Sequence, residues 1–178
     1  MAKKRPKKIA IRIHLPALRA VIVLYALLAS TAYAASEQTG KDDIERPRFV
    51  SLSSDLVNMR EGPSTAHGIK WIYQRDGLPM QVLAEYDVWR RVRDMDGEIG
   101  WIHVSLLSNE RTGVVVGNGY ALLRSGVEID APVIARAEVG AVGRVESCGP
   151  VSCRLEFSGI EGWVNRARFW GVYADEHF

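Results

Sequence analysis

Thiols, imidazoles and paired carboxylates carry most enzyme chemistry. The chain of 178 residues has two cysteines, Cys148 and Cys153, and four histidines, His14, His67, His103 and His177. No histidine stands in an H-E-x-x-H or H-x-x-E-H pattern. A thiol nucleophile needs a histidine partner, a zinc site usually needs four ligands, and redox dithiols are usually spaced C-x-x-C. The cysteine pair suits none of these roles. There is no G-x-S-x-G elbow and no Gly-rich phosphate loop. Asp94/Asp96 and Asp42/Asp43 read as solvated turn or linker residues, not as the two carboxylates of a glycosidase. The expectation is a protein with no enzyme activity, no cofactor and no metal.

The cysteines are better spent on each other. Cys148-Gly149-Pro150-Val151-Ser152-Cys153 places them on either side of a Gly-Pro turn, with Cys148 ending one strand and Cys153 opening its antiparallel neighbour. That arrangement suits the short Cα separation of a disulfide. Closing so small a loop stabilises by about 2 kcal/mol on the chain-entropy model.

These residues belong to a repeat. Gly97-Glu98-Ile99-Gly100-Trp101-Ile102-His103 returns as Gly159-Ile160-Glu161-Gly162-Trp163-Val164-Asn165, and both read G-x-x-G-W-(I/V)-(H/N). Upstream of each stands an R-x-G, Arg60 with Gly62 and Arg124 with Gly126. The separation from Gly62 to Gly100 is 38 positions and from Gly126 to Gly162 it is 36. Two signatures in one order at nearly one spacing predict a tandem repeat. Counting back from the Gly-Trp pairs, and allowing for a shorter later hairpin, puts Cys153 about where Trp89 stands in the first copy.

The elements that must position the motifs are short strands. Residues 55–60 alternate polar and apolar, which is strand periodicity, and Glu61-Gly62-Pro63-Ser64 is a turn cluster. Residues 65–77 read as a long arm. Further strands are expected near 78–84, 88–93, 99–104, 132–135 and 139–145, and Asp96-Gly97 signals a tight hairpin turn. Residues 105–107 suit one turn of 3₁₀-helix, and residues 169–173 suit a last strand. No stretch after residue 34 sustains helical periodicity. Many short strands with Gly-rich turns predict small β-barrels.

The ends of the chain differ in character. Residues 1–34 carry a basic start, an apolar run over 20–29 and Ala32-Tyr33-Ala34, which together read as an export signal cut after Ala34. The apolar run is too short for a spanning helix, and an uncleaved N-terminal anchor is the alternative. Export would place the cysteines in an oxidising compartment, where disulfides persist. Residues 35–47 read as a flexible linker. The chain carries a formal charge of +2, but seven of its 23 Lys and Arg precede residue 20, while all 21 Asp and Glu come later. The folded part is therefore acidic, with 16 basic against 21 acidic residues. That balance gives no support for nucleic-acid binding. Arg91 and Arg93 share one strand face and read as solvated.

The run Val57-Asn58-Met59-Arg60-Glu61-Gly62-Pro63-Ser64 resembles the opening of bacterial Src homology 3 (SH3b) domains. It is followed by an apolar strand at 80–84, by Trp89 to Val92 in a W-x-(K/R)-V position, and by the G-x-x-G-W-(I/V) at 97–102. The block 48–115 further resembles a subfamily of exported bacterial proteins that opens R-F-V-S-L. The second repeat is a degenerate match: Leu122 replaces Asn58 and no proline follows Gly126. The resemblance implies an all-β fold of two tandem SH3-like barrels, at 48–113 and 114–174, with a tail at 175–178. Domains of this family commonly accompany cell-wall amidases and endopeptidases, which implies a non-catalytic binding module. The expected partner is peptidoglycan or its stem peptides, in the periplasm or outside the cell. An adaptor for an envelope protein is the alternative. Aromatic residues suit such ligands, so Trp71, Tyr73, Tyr86 and Trp89 are the candidate binding residues, with core packing as the competing role. Arg60, Gly62, Gly100, Trp101, Arg124, Gly126, Gly162 and Trp163 are expected to be structural, with Trp101 and Trp163 filling the barrels. The proline-binding specificity of the eukaryotic domains is not carried over, because their aromatic cluster and acidic run are not recognisable here.

Overall fold

A computed structural model describes residues 43–178, with side chains from Arg48 onward. The expected leader, and the linker up to residue 42, lie outside the described residues. The described residues belong to one compact unit. It holds two seven-stranded antiparallel sheets. The first contains β1 (Asp43–Leu52), β2 (Val57–Arg60), β3 (Ile69–Tyr73), β4 (Pro79–Tyr86), β5 (Trp89–Arg93), β6 (Ile99–His103) and β7 (Leu107–Ser108). The second contains β8 (Thr112–Val115), β9 (Ala121–Arg124), β10 (Val133–Ala137), β11 (Val142–Cys148), β12 (Ser152–Phe157), β13 (Ile160–Asn165) and β14 (Phe169–Trp170). The strand order is β3-β2-β6-β5-β4-β1-β7 in the first and β10-β9-β13-β12-β11-β8-β14 in the second. Each strand of the second sheet thus holds the place of the strand seven earlier in the first.

Each sheet has its own core. Val50, Leu52, Val57, Met59, Met80, Val82, Val92 and Ile102 form one cluster, and Val115, Leu123, Val145, Cys153, Leu155, Val164 and Phe169 belong to the other. Val57 on β2 and Val50 on β1 are four strands apart in the sheet order, roughly 19 Å if the sheet were flat. Their membership of one cluster requires the sheet to curl over its inner face. Hydrogen bonding does not complete the circle, since β3 and β7 are the two edges. The barrels expected from the sequence are therefore corrected to two curled, open sheets.

Several boundaries also shift. The expected linker overlaps β1, whose first residue pairs with Ala84. The division expected after residue 113 falls inside β8, all of which pairs within the second sheet. The arm at 65–77 contains β3, paired with β2. The expected last strand is only two residues long. It stops at Gly171, where φ is +137° and an added Cβ would run into the Thr112 carbonyl. The tail at 175–178 is tied down: Glu176 pairs with Arg111, and the Phe178 carbonyl accepts from the Cys148 N–H.

Burial on β4 and β8 shows how the two sheets meet. Both are buried on both faces over most of their length. Met80 and Val82 face the first core, while the Gln81 amide donates to the Tyr173 hydroxyl at 2.6 Å. Val115 faces the second core, while the Thr112 hydroxyl donates to the Gly77 carbonyl at 2.6 Å. Phe49 packs edge-on against Trp170, with ring centroids 4.9 Å apart.

Candidate functional site

The recurring motif resolves into separate duties. Gly97 and Gly159 sit at φ +89° and +86°, in hairpin turns that disfavour any side chain. Gly100 and Gly162 lie where a neighbouring strand crosses closely. A Cβ on Gly100 would come within 2.8 Å of the Arg60 carbonyl, and one on Gly162 within 2.8 Å of the Leu123 Cβ. Ile102 and Val164 enter the cores. His103 and Asn165 each cap a short 3₁₀-helix: the His103 Nδ1 accepts from the Ser105 N–H, and the Asn165 Oδ1 accepts from the Ala167 N–H. An imidazole and an amide alternate here because both offer an acceptor at the same point. Arg60 donates to the carbonyls of Thr65 and His67, and Arg124 donates to that of Ala131, so both guanidiniums brace the loop after their strand.

That leaves the tryptophans. Alternation along β6 and β13 turns Gly100, Ile102, Gly162 and Val164 inward and Trp101 and Trp163 outward. Both indoles are half-buried on the outer face, a correction to the expectation that they fill the cores. The aromatic candidates of the first repeat do not form one groove. Trp89 is buried, 8 % exposed, with its ring edge-on to His103. Tyr73 packs against the first core and donates its hydroxyl to Asp94 at 2.7 Å. Burial, followed by that carboxylate, raises the phenol's pKa well above its ordinary value. Tyr86 is exposed at the end of the β4–β5 hairpin, opposite Trp89 in register. Trp71 is half exposed on the edge strand β3. Lys70, followed by the Trp71 indole, holds the Glu98 carboxyl below its ordinary range. Asp94 is buried, not solvated as expected. Its Oδ1 accepts from the N–H groups of Asp96 and Glu98 and so holds the β5–β6 turn. Arg91 and Arg93 are exposed, in keeping with a solvated strand face.

A well-defined opening lies in the second sheet. A groove of about 440 Å³ runs over the outer face of β9 and β13. Its walls include Tyr120, Leu122, Ile129 and Trp163, with Arg124 and Arg168 among its polar groups. This volume is in the range of sites for small ligands. Sequence reasoning missed it because the residue that opens it is small. β12 pairs Ser152 with Asn165, and β5 pairs Trp89 with His103. Ser152 therefore occupies the place of Trp89, and Cys153 occupies that of Arg90, one residue away from the correspondence counted from the sequence. A one-residue slip changes the face. Cys153 points into the core and forms a disulfide with Cys148, directly opposite, at a Cα separation of 4.1 Å. The groove holds no thiol and no histidine. Among the described residues no group of three or more His, Cys, Asp or Glu is placed to hold a metal, and no helix is long and apolar enough to cross a membrane.

Comparison with known proteins agrees with the architecture of the first sheet. Residues 53–109 match the family model described as bacterial SH3 domain, and this part of the chain is a bacterial SH3 domain. The second sheet lies outside that match. No curated protein matches the chain. Among solved structures, NlpC2 from Trichomonas vaginalis aligns at 13% identity and a TM-score of 0.34, covering 76% of this chain and 52% of its own. NlpC1 from the same organism aligns at 14% identity and a TM-score of 0.32, covering 71% of this chain and 46% of its own. A putative autolysin from Listeria monocytogenes aligns at 14% identity and a TM-score of 0.26, covering 72% of this chain and 66% of its own. The chain thus spans about half the length of the first two structures it aligns with.

Proposed function

We propose that this protein is a non-catalytic binding module of the bacterial cell envelope, made of two tandem SH3-like units and exported by residues 1–34. Its ligand is peptidoglycan or its stem peptides, met in the periplasm or outside the cell. The observation that carries this reading is the groove on the outer face of the second sheet. There an indole and a phenol stand beside guanidinium and amide groups, the mixture that suits sugar rings and short peptides. The bacterial SH3 match over residues 53–109 supports the same class of protein. The test is co-sedimentation of the oxidised full-length chain with purified sacculi, with Trp163→Ala alongside. The wild type is expected in the pellet and the variant in the supernatant. A wild type that stays in solution at moderate salt removes peptidoglycan as the ligand.

A second reading, an adaptor for an envelope protein, draws on the edge strand β3. Ile69, Trp71 and Ile72 are each about half exposed there, and an unpaired edge with apolar side chains is a surface that another chain can extend.

A further inference from the structure

The two sheets share one topology, and the outer faces differ most where Trp89 and Ser152 correspond. In the first, Trp89 fills the space opposite His103, with ring centroids 5.4 Å apart. In the second, Ser152 stands opposite Asn165 and the space is open. The open space is not merely apolar. Arg124 and Arg168 both line it, and among the described residues neither guanidinium has a carboxylate within salt-bridge distance. Each is oriented by backbone carbonyls instead. Arg124 donates to Ala131 at 2.7 Å, and Arg168 donates to Asn118 at 2.8 Å and to Gly119 at 3.3 Å. One carboxylate, Glu128, lines the groove against these two cations. Guanidiniums held by carbonyls keep further N–H donors for an anion, and a carboxylate is the shape they pair with best.

We infer that the groove beside Trp163, opened by Ser152 where the first sheet has Trp89, binds a short peptide with a free terminal carboxylate. The acid pairs with Arg124 and Arg168, and an apolar side chain lies against Trp163 and Leu122. This rests on the binding-module reading above and adds to it the unit that binds and the chemical group that is read.

The experiment is calorimetric titration of the oxidised full-length chain with acetyl-Leu-Ala-Ala and with its C-terminal amide. The free acid is expected to bind saturably and the amide at least tenfold more weakly. Arg168→Gln is expected to weaken the acid at least tenfold, and Ser152→Trp, which copies the first sheet, to abolish binding. Should Ser152→Trp lose its cooperative unfolding transition, the Trp163 indole N–H resonance of the wild type replaces it as the readout. That resonance is expected to shift on adding the acid. Equal binding of acid and amide, no saturable binding, an unchanged affinity in folded Ser152→Trp, or an unmoved indole resonance each overturns the inference. Sacculi that pellet Ser152→Trp as well as the wild type overturn it while leaving wall binding standing. Peptide binding without sacculus binding supports the inference and overturns the wall reading.

Discussion

Gly100 is the residue where motif and fold meet most directly. It is fixed by the crossing of β2 over β6, where Arg60 pairs with Trp101. Nothing about its φ demands glycine; the lack of a Cβ lets the Arg60 carbonyl approach. Gly97 is the reverse case, with open space around it and a left-handed backbone. The two substitutions are therefore expected to fail for different reasons. Gly100→Ala forces a backbone shift and is expected to cost roughly 1–3 kcal/mol, the usual range for overpacking. Urea unfolding measures it, and a change within about 0.5 kcal/mol would show that the strand crossing is loose. Because Ile102 follows Trp101 directly, the same shift is expected to disturb the first core rather than the outer face.

At the scale of elements, the C-terminal segment behaves as a strap. Arg166 donates to the carbonyls of Gly149, Tyr173 and Glu176, joining the disulfide hairpin to the tail. Arg111 pairs with the Glu176 carboxylate and also reaches the Gly171 carbonyl. The hydrogen bond from Arg111 holds the Glu176 carboxyl below its ordinary value of 4.5. A carboxyl lowered in the folded state contributes stability above its unfolded value and loses it as the pH falls through the folded value. Glu176→Gln is thus expected to lower stability at neutral pH by roughly 0.5–1 kcal/mol, allowing for solvent screening. It is also expected to flatten the loss of stability below pH 4.5. Thermal melts at several pH values read both effects, and parallel curves for variant and wild type would remove the strap from the stability of the fold. None of this was legible in the sequence, because Arg111 and Glu176 stand 65 positions apart in stretches without pattern. What was legible was local: the Gly-Trp repeat, the disulfide across its Gly-Pro turn, and the strands with clear alternation. β3 has no signature in the sequence, because Ile69 to Ile72 are exposed on both faces of an edge strand and no alternation marks it. Cys153 stands one residue beyond the place of Trp89 because the second hairpin is shorter by one residue, not by the two that the count allows. The burial of Asp94 has no mark in the sequence, because Tyr73, its partner, comes from an arm without strand alternation. The groove has no sequence signature, because a serine in place of a tryptophan carries no signal of its own.

At the largest scale, the two sheets meet along a seam of shared contacts. Each core is small, and a unit of about 60 residues buries too little surface to be more than marginally stable alone. The seam adds burial that neither sheet has by itself. Phe49 is 6 % exposed and lies between Trp170 and Tyr173, with the Arg111 guanidinium over its ring. Gln81, Thr112 and Arg75 add hydrogen bonds across the same boundary. Burial raises the pKa of the Tyr173 phenol, which keeps its proton and remains an uncharged partner for Gln81. If the seam carries the stability that the separate cores lack, the sheets unfold together. Calorimetry of the oxidised wild type is then expected to show one transition whose calorimetric and van't Hoff enthalpies agree. Phe49→Ala removes the ring that both sides share and is expected to cost about 3–5 kcal/mol, as for other buried aromatics. Because that loss falls on the seam and spares both cores, the variant's single transition is expected to split in two. Two transitions already present in the wild type, or one undivided transition in Phe49→Ala with little loss of stability, would show instead that each sheet stands on its own core.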